Sequence, residues 1–259
     1  MIRRPLRLVL AAALALGAVA AVVVPSEAAT PAAATGASWC TSQKDVAIIG
    51  TSAETGYGTT GYPTDAQTYE PTAWGWTNRF SQSLAGGWGT VVQNYAHNGA
   101  MASDFLSGGR WPNTTGALAD IATKAPNLVI IDLGANEFYT QLAPATFAAN
   151  LKTVIDDVKS AAPGSSILLS IYAQLLWAPN QWASTETNQW PVYATQIYNT
   201  AVAEGVALVD MRQYIPNAGS ANLPSPSPWY TDNLHLNDAG NLAEYGAFWG
   251  WTSSIASLC

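Results

Sequence analysis

The chain has 259 residues, 49% of them apolar and only 10% charged, and a net charge of −7. A chain this apolar can bury a core, which excludes wholesale disorder, and its length suits one large domain or two small ones. Scattered basic residues under a negative balance exclude electrostatic nucleic-acid binding, and any histidine chemistry must use His97 or His235.

The first element is a targeting segment. Arg3, Arg4 and Arg7 precede an uncharged run from Leu8 to Val24, and small residues follow up to Ala28. That is the order of a secretory signal peptide spanning residues 1–28, with secretion to the extracellular space as the expectation. An uncleaved anchor is the competing reading, although the run is just short of a comfortable span and no second hydrophobic segment follows. Arg3-Arg4 also leaves the export route open between general and twin-arginine secretion. Cleavage removes Arg3, Arg4, Arg7 and Glu27, which leaves 7 basic and 16 acidic residues, or −9. Residues 29–39 then read as a flexible leader, and residues 40–259 as one domain without repeat or linker. Cys40 and Cys259 lie at its two ends, and in an exported chain they have only each other as intramolecular partners.

Along that domain, strands and helices alternate. Asp45–Ile49, Thr90–Asn94, Leu128–Leu133, Ser166–Ile171 and Val206–Asp210 are short apolar runs suited to buried parallel strands. Phe147, Leu151, Val154, Ile155 and Val158 lie on one helical face, and that helix stops at Pro163-Gly164. A second helix opens at Pro191 and runs to Glu204-Gly205. A last helix starts near Asn237, with Leu242, Tyr245, Trp249, Thr252 and Ala256 expected to face inward. Strands separated by helices predict an α/β fold with a parallel sheet and helices on both faces.

In such sheets, chemistry gathers at the carboxyl ends of the strands. The first strand is followed by Gly50-Thr51-Ser52-Ala53-Glu54, the second by Ala96-His97-Asn98-Gly99-Ala100, and the third by Gly134-Ala135-Asn136-Glu137. Asp232-Asn233-Leu234-His235 lies near the C-terminus. Together these four segments resemble the SGNH (GDSL-type) hydrolase family, with Ser52, Gly99, Asn136 and His235 in the family's order and Asp232 three residues before the histidine. The resemblance implies a three-layer α/β/α sandwich around a five-stranded parallel sheet of flavodoxin-like order. It also implies Ser52 as nucleophile, His235 as base and Asp232 as the acid that orients it. Ser52, Gly99 and Asn136 would form the oxyanion hole. Two positions depart from the family pattern: Thr51 stands where an aspartate precedes the serine, and Glu137 where an aspartate follows the asparagine.

The residues support that chemistry on their own terms. A serine hydroxyl is a poor nucleophile and needs a neighbouring base. An acid three residues from His235 can hold one ring nitrogen and leave the other for the serine. A glycine backbone N–H can approach an oxyanion closely. Each residue also has a plainer reading. Ser52 and Asp232 suit helix caps, Gly99 a turn, and Asn136 an Asx-turn. His97 reads as structural or as shaping the loop beside Gly99. Glu137 either forms an ion pair or holds the Asn136 loop.

Gly56-Tyr57-Gly58-Thr59-Thr60-Gly61 matches a dinucleotide fingerprint but starts too late after its strand, and Pro63 follows. Two distant histidines and two terminal cysteines make no zinc set, so neither metal nor cofactor is expected. Tyr57, Tyr62, Tyr69, Trp74 and Trp76 follow the serine block. Trp177, Trp182 and Trp190 follow the fourth strand, and Trp229 and Tyr230 precede Asp232. On loops they suit sugar rings or acyl chains; the plain alternative is that half or more pack under loops. The low-charge acidic composition favours a neutral ester substrate. The sequence therefore points to a secreted serine esterase for small or carbohydrate-linked esters. A lipase-type esterase for longer chains is the rival, and a non-catalytic glycan-binding module the reading of another class.

Overall fold

Five apolar runs become five parallel strands, because only a strand covered by helices on both faces can be apolar throughout. The computed structural model describes residues 37–175, 185–215 and 228–257, all within the compact unit Pro31–Cys259. The strands are β1 (Asp45–Ile49), β2 (Val91–Asn94), β3 (Leu128–Asp132), β4 (Ser166–Ile171) and β5 (Ala207–Asp210), in the order β2-β1-β3-β4-β5. Every neighbouring pair is parallel, and Ile48 of β1 lies between Asn94 of β2 and Ile130 of β3. All of β3 and β4 is buried.

The helices are α1 (Ala37–Thr41), α2 (Ser52–Thr55), α3 (Trp76–Trp88), α4 (Pro112–Thr115), α5 (Ala117–Lys124), α6 (Ala135–Thr140), α7 (Pro144–Ala161), α8 (Trp190–Glu204) and α9 (Asp238–Ser257). Helices α1 and α3 pack on α9, and α5 and α8 pack on α7. The two groups cover opposite faces of the sheet and complete the three-layer sandwich. Helix α7 buries Phe147, Leu151, Val154, Ile155 and Val158, the face its periodicity predicts.

Helix α9 buries Thr252 as expected and packs Tyr245 and Trp249 partly against the core, but its most buried face is rotated from the one expected. Its buried residues are Gly240, Asn241, Glu244, Ala247, Phe248 and Thr252, while Leu242 is 44% exposed. Apolar residues surround this helix, so their spacing does not select a face. Packing does: Phe248 stacks on Trp76 of α3 at 4.2 Å between ring centroids and 14° between planes. That rotation carries the Glu244 carboxyl into the interior.

The expected 29–39 leader ends too late, because Trp39 is fully buried and its indole Nε1 donates to the Thr252 carbonyl at 3.1 Å. Helix α1, which contains Cys40, is thereby fastened to α9. Cys259 and the expected signal segment lie outside the described residues, as do Trp177 and Trp182. Trp76 and Trp190 are core residues, which removes them from any exposed aromatic surface.

Candidate active site

The order β2-β1-β3 places a topological switch point between β1 and β3, where a crevice opens at the carboxyl ends of the strands. Ser52 begins α2 directly after β1, and Asn136 lies in α6 directly after β3. Thr51 caps α2: its side chain accepts from the Ala53 N–H, and Glu54 reaches back to accept from the Thr51 N–H at 2.6 Å. This capping box satisfies two groups that a four-residue helix leaves open, so threonine can do a helix-starting aspartate's work here.

Ser52 Oγ lies 2.9 Å from His235 Nε2, and His235 Nδ1 lies 2.7 Å from Asp232 Oδ2. The other oxygen of Asp232 accepts from the backbone N–H groups of Leu234 at 2.7 Å and His235 at 2.6 Å. Burial pushes the Asp232 carboxyl upward, but the His235 ring and these two N–H groups outweigh it and hold the carboxyl below its usual range. The turn is anchored from three sides. Tyr139 of α6 donates to the Asn233 carbonyl at 2.9 Å, Tyr172 to the Leu234 carbonyl at 3.3 Å, and Tyr230 to the Gln174 carbonyl at 2.7 Å. Tyr57 lies against the His235 ring at 4.4 Å and is itself 37% exposed, which puts an aromatic ring at the rim.

The dinucleotide-like glycines have a different use. Gly58 takes φ +88°, and a Cβ there would come within 2.8 Å of the Leu236 carbonyl and 3.1 Å of His235 Cβ. A side chain at 58 would push the histidine turn away.

Gly99 also lies in the left-handed region, at φ +76°, in the turn closed by the Ala100 N–H on the His97 carbonyl at 3.0 Å. Among the described residues, the backbone N–H groups of Ser52 and Gly99 have no protein acceptor. The Asn136 amide donates one N–H to the Ala100 carbonyl at 2.7 Å, which leaves its second N–H uncommitted. The Gly99 turn is tied to the serine helix through Thr55, whose hydroxyl reaches the Ser52 carbonyl at 2.9 Å and Asn98 Oδ1 at 2.7 Å.

His97 is buried and stacks on Trp111 at 3.8 Å, and the Arg110 guanidinium lies over the same indole at 4.1 Å. Arg110 in turn grips Asp104 with two hydrogen bonds and donates to the Gly99 carbonyl at 2.7 Å. Of its two sequence readings, Glu137 fits the second: its Oε1 accepts from the Ala102 N–H at 2.6 Å and so joins the Asn136 helix to the segment after Gly99. Burial pushes this carboxyl up to about 7, against the pull of backbone N–H groups.

The sequence brought forward Ser52, Gly99, Asn136, Asp232 and His235, and the structure gathers all five around the ends of β1, β2 and β3. It did not bring forward Thr55, Asn98, Asp104 or Arg110, which position the Gly99 turn. No spacing rule marks them, because they meet only through the turn.

Sheet order, crevice and hydrogen-bonded serine, histidine and aspartate together define the class as an α/β/α ester hydrolase. The chain belongs to the GDSL-like lipase/acylhydrolase family, whose model matches residues 48–243. Several solved structures share the fold. The carbohydrate acetylesterase Est24 from Sinorhizobium meliloti is 18% identical with a TM-score of 0.62, over 83% of this chain and 100% of that one. The native aryl esterase of M. smegmatis is 19% identical with a TM-score of 0.62 over the same shares. A lipase/acylhydrolase from Enterococcus faecalis is 16% identical with a TM-score of 0.58, over 83% of this chain and 96% of that one. No curated protein sequence matches the chain. Among the described residues, no helix is long and apolar enough to cross a membrane.

Proposed function

We propose that the protein is a secreted serine esterase that hydrolyses small or carbohydrate-linked carboxylic esters through an acyl-enzyme. The observation that carries this reading is the unbroken chain from Ser52 Oγ to His235 Nε2 and from His235 Nδ1 to Asp232, at 2.9 and 2.7 Å. It also argues against a non-catalytic binding module, which has no need of a nucleophile held against a base.

His235 Nε2 takes the Ser52 proton as Oγ attacks the ester carbonyl, and the ionised Asp232 stabilises the resulting imidazolium. The negative oxygen of the tetrahedral intermediate lies against the Ser52 and Gly99 N–H groups and the second N–H of Asn136. All three are set before the charge develops. Collapse breaks the bond to the alcohol oxygen, which receives the proton from His235 and leaves the acyl group on Ser52. Water then attacks the acyl-enzyme with His235 again as base, the acid departs, and Ser52 regains its proton.

Small or carbohydrate-linked substrates are favoured by the exposed ring of Tyr57 beside His235 at the catalytic edge. The carbohydrate acetylesterase with the same fold supports the same choice. Hydrolysis of p-nitrophenyl esters of increasing chain length tests this directly. The expected result is a maximum at acetate and a fall of about 10³-fold or more in kcat for Ser52→Ala. Wild-type turnover by Ser52→Ala refutes the nucleophile, and a maximum at long chains favours the lipase reading.

Export rests on the charged, apolar and small-residue order of residues 1–28. A Cys40–Cys259 bridge fits this setting, since α1 packs on α9, whose described part ends at Ser257. Closing so long a loop stabilises by up to about 5 kcal/mol in the chain-entropy model. Mass spectrometry of the oxidised protein should find no alkylatable thiol before reduction and two after; two before reduction exclude the bridge.

A further inference from the structure

Beneath the serine helix lies a group of side chains that the ester chemistry does not use. Glu54 of α2, Asp132 at the end of β3 and Glu244 of α9 are all buried, and one carboxylate oxygen from each lies within 4.8 Å of the others. Glu54 Oε2 is engaged by the Thr51 N–H. Glu54 Oε1, Asp132 Oδ2 and both oxygens of Glu244 are buried without a hydrogen-bond partner. Among the described residues, no lysine, arginine or histidine forms an ion pair with any of the three.

Unpartnered buried oxygens are costly, and three adjacent carboxylates are more so. Such a group needs positive charge from somewhere, either protons or a cation. The geometry suits a cation. Carboxylate oxygens about 2.3–2.6 Å from a calcium ion lie at most about 5 Å from one another across it, and the observed oxygens fall inside that limit. Neither oxygen of Glu244 is committed to a hydrogen bond. A donor set made only of oxygen selects a hard divalent cation over zinc or copper. A site this deeply buried favours calcium over magnesium, which keeps much of its water.

We propose that Glu54, Asp132 and Glu244 form a buried binding site for one hard divalent cation, calcium in preference to magnesium. Each ligand belongs to a different catalytic segment. Glu54 lies two residues after Ser52, Asp132 four before Asn136, and Glu244 on the helix that follows His235. One ion at this point ties the serine helix, the asparagine loop and the histidine-bearing C-terminal segment together from below. Its role is structural, because none of its ligands reaches the ester.

The full-length protein, dialysed against chelator and then against calcium, magnesium or metal-free buffer, provides the test. Elemental analysis after desalting reads the cation per chain, and thermal unfolding reads its effect. About one calcium per chain is expected, with Tm raised by roughly 5 °C or more over the chelated protein and a smaller rise in magnesium. Asp132→Asn and Glu244→Gln should reduce the retained calcium at least tenfold. Less than about 0.1 cation per chain with one Tm in all three buffers overturns the site, and the three carboxyls then share protons instead. Calcium retained undiminished by both folded variants also overturns it, since the ion then sits elsewhere. If neither variant folds, refolding of the wild type decides: equal yields in chelator and calcium reject the site.

Discussion

Two acids stand near the reacting serine, and their surroundings push them in opposite directions. Asp232 spreads three hydrogen bonds over both oxygens, and its side chain remains 37% exposed. Glu137 is fully buried, receives the Ala102 N–H on one oxygen and leaves the other without a partner. Asp232 is accordingly held below the usual carboxylate range, and Glu137 is pushed up to about 7. Burial is the largest influence on both, but Glu137 is closed off completely and has only backbone N–H groups to oppose it, whereas Asp232 keeps some exposure and also meets the His235 ring. The acid that must stay ionised beneath an imidazolium is given donors on both sides. The acid that only joins two backbone segments is closed off from solvent and meets no imidazole.

Removing the charge from the first acid has the largest expected effect. Asp232→Asn keeps the shape of the turn but no longer enforces the ring tautomer that offers Nε2 to Ser52. A loss of about 10³–10⁴-fold in kcat is expected with p-nitrophenyl acetate, while circular dichroism stays unchanged. Retention of kcat within tenfold would falsify the orienting role and leave His235 as an unaided base.

The second acid should reveal itself through stability, with the opposite dependence on pH. A carboxyl held low in the folded state contributes stability that is present at neutral pH and is lost as pH falls through its folded value. Glu137 runs the other way: its folded value of about 7 lies above its ordinary 4.5. Its contribution is full below about 4.5 and is lost as pH rises to about 7. Glu137→Gln keeps an oxygen for the Ala102 N–H but has no proton to lose. Chemical denaturation at pH 5 and pH 8 should show the wild type falling by about 2 kcal/mol more than the variant. Parallel declines would place Glu137 in a wetter or better-paired site.

The same contrast separates what was legible in the sequence from what was not. The strands could be read because β1, β3 and β4 lie under helices on both faces and leave continuous apolar runs. The α7 face could be read because its outward positions are polar. The face of α9 could not, because apolar residues surround it and the contact of Phe248 with Trp76 chooses the side. At the site, Ser52, Asn136, Asp232 and His235 stand in short local blocks, so their order carries the information. Positions 54, 132 and 244 share no spacing at all, and only the crossing of α2, β3 and α9 brings their carboxyls together. Arg110 escapes the sequence for the same reason, eleven residues from the glycine carbonyl it holds.

Thr51 offers the smallest and most discriminating test of the rule that enclosure and the kind of donor decide the behaviour of an acid here. Thr51→Ala removes the cap on α2 and should lower stability by about 1 kcal/mol at any pH, the usual effect of losing such a cap. Thr51→Asp restores a strong cap but places a carboxyl at a position that is only 4% exposed. The side chain there accepts only from backbone N–H groups of its own helix, with that of Ala53 at 3.5 Å. An enclosed carboxyl opposed only by backbone N–H groups resembles Glu137, not Asp232 beside its imidazole. The Asp variant should therefore match the wild type near pH 5 and fall behind it by about 1 kcal/mol at pH 8. Equal stability of Thr51→Asp and wild type at both pH values would mean that the helix N-terminus alone holds an acid low. The contrast between Asp232 and Glu137 would then need another cause.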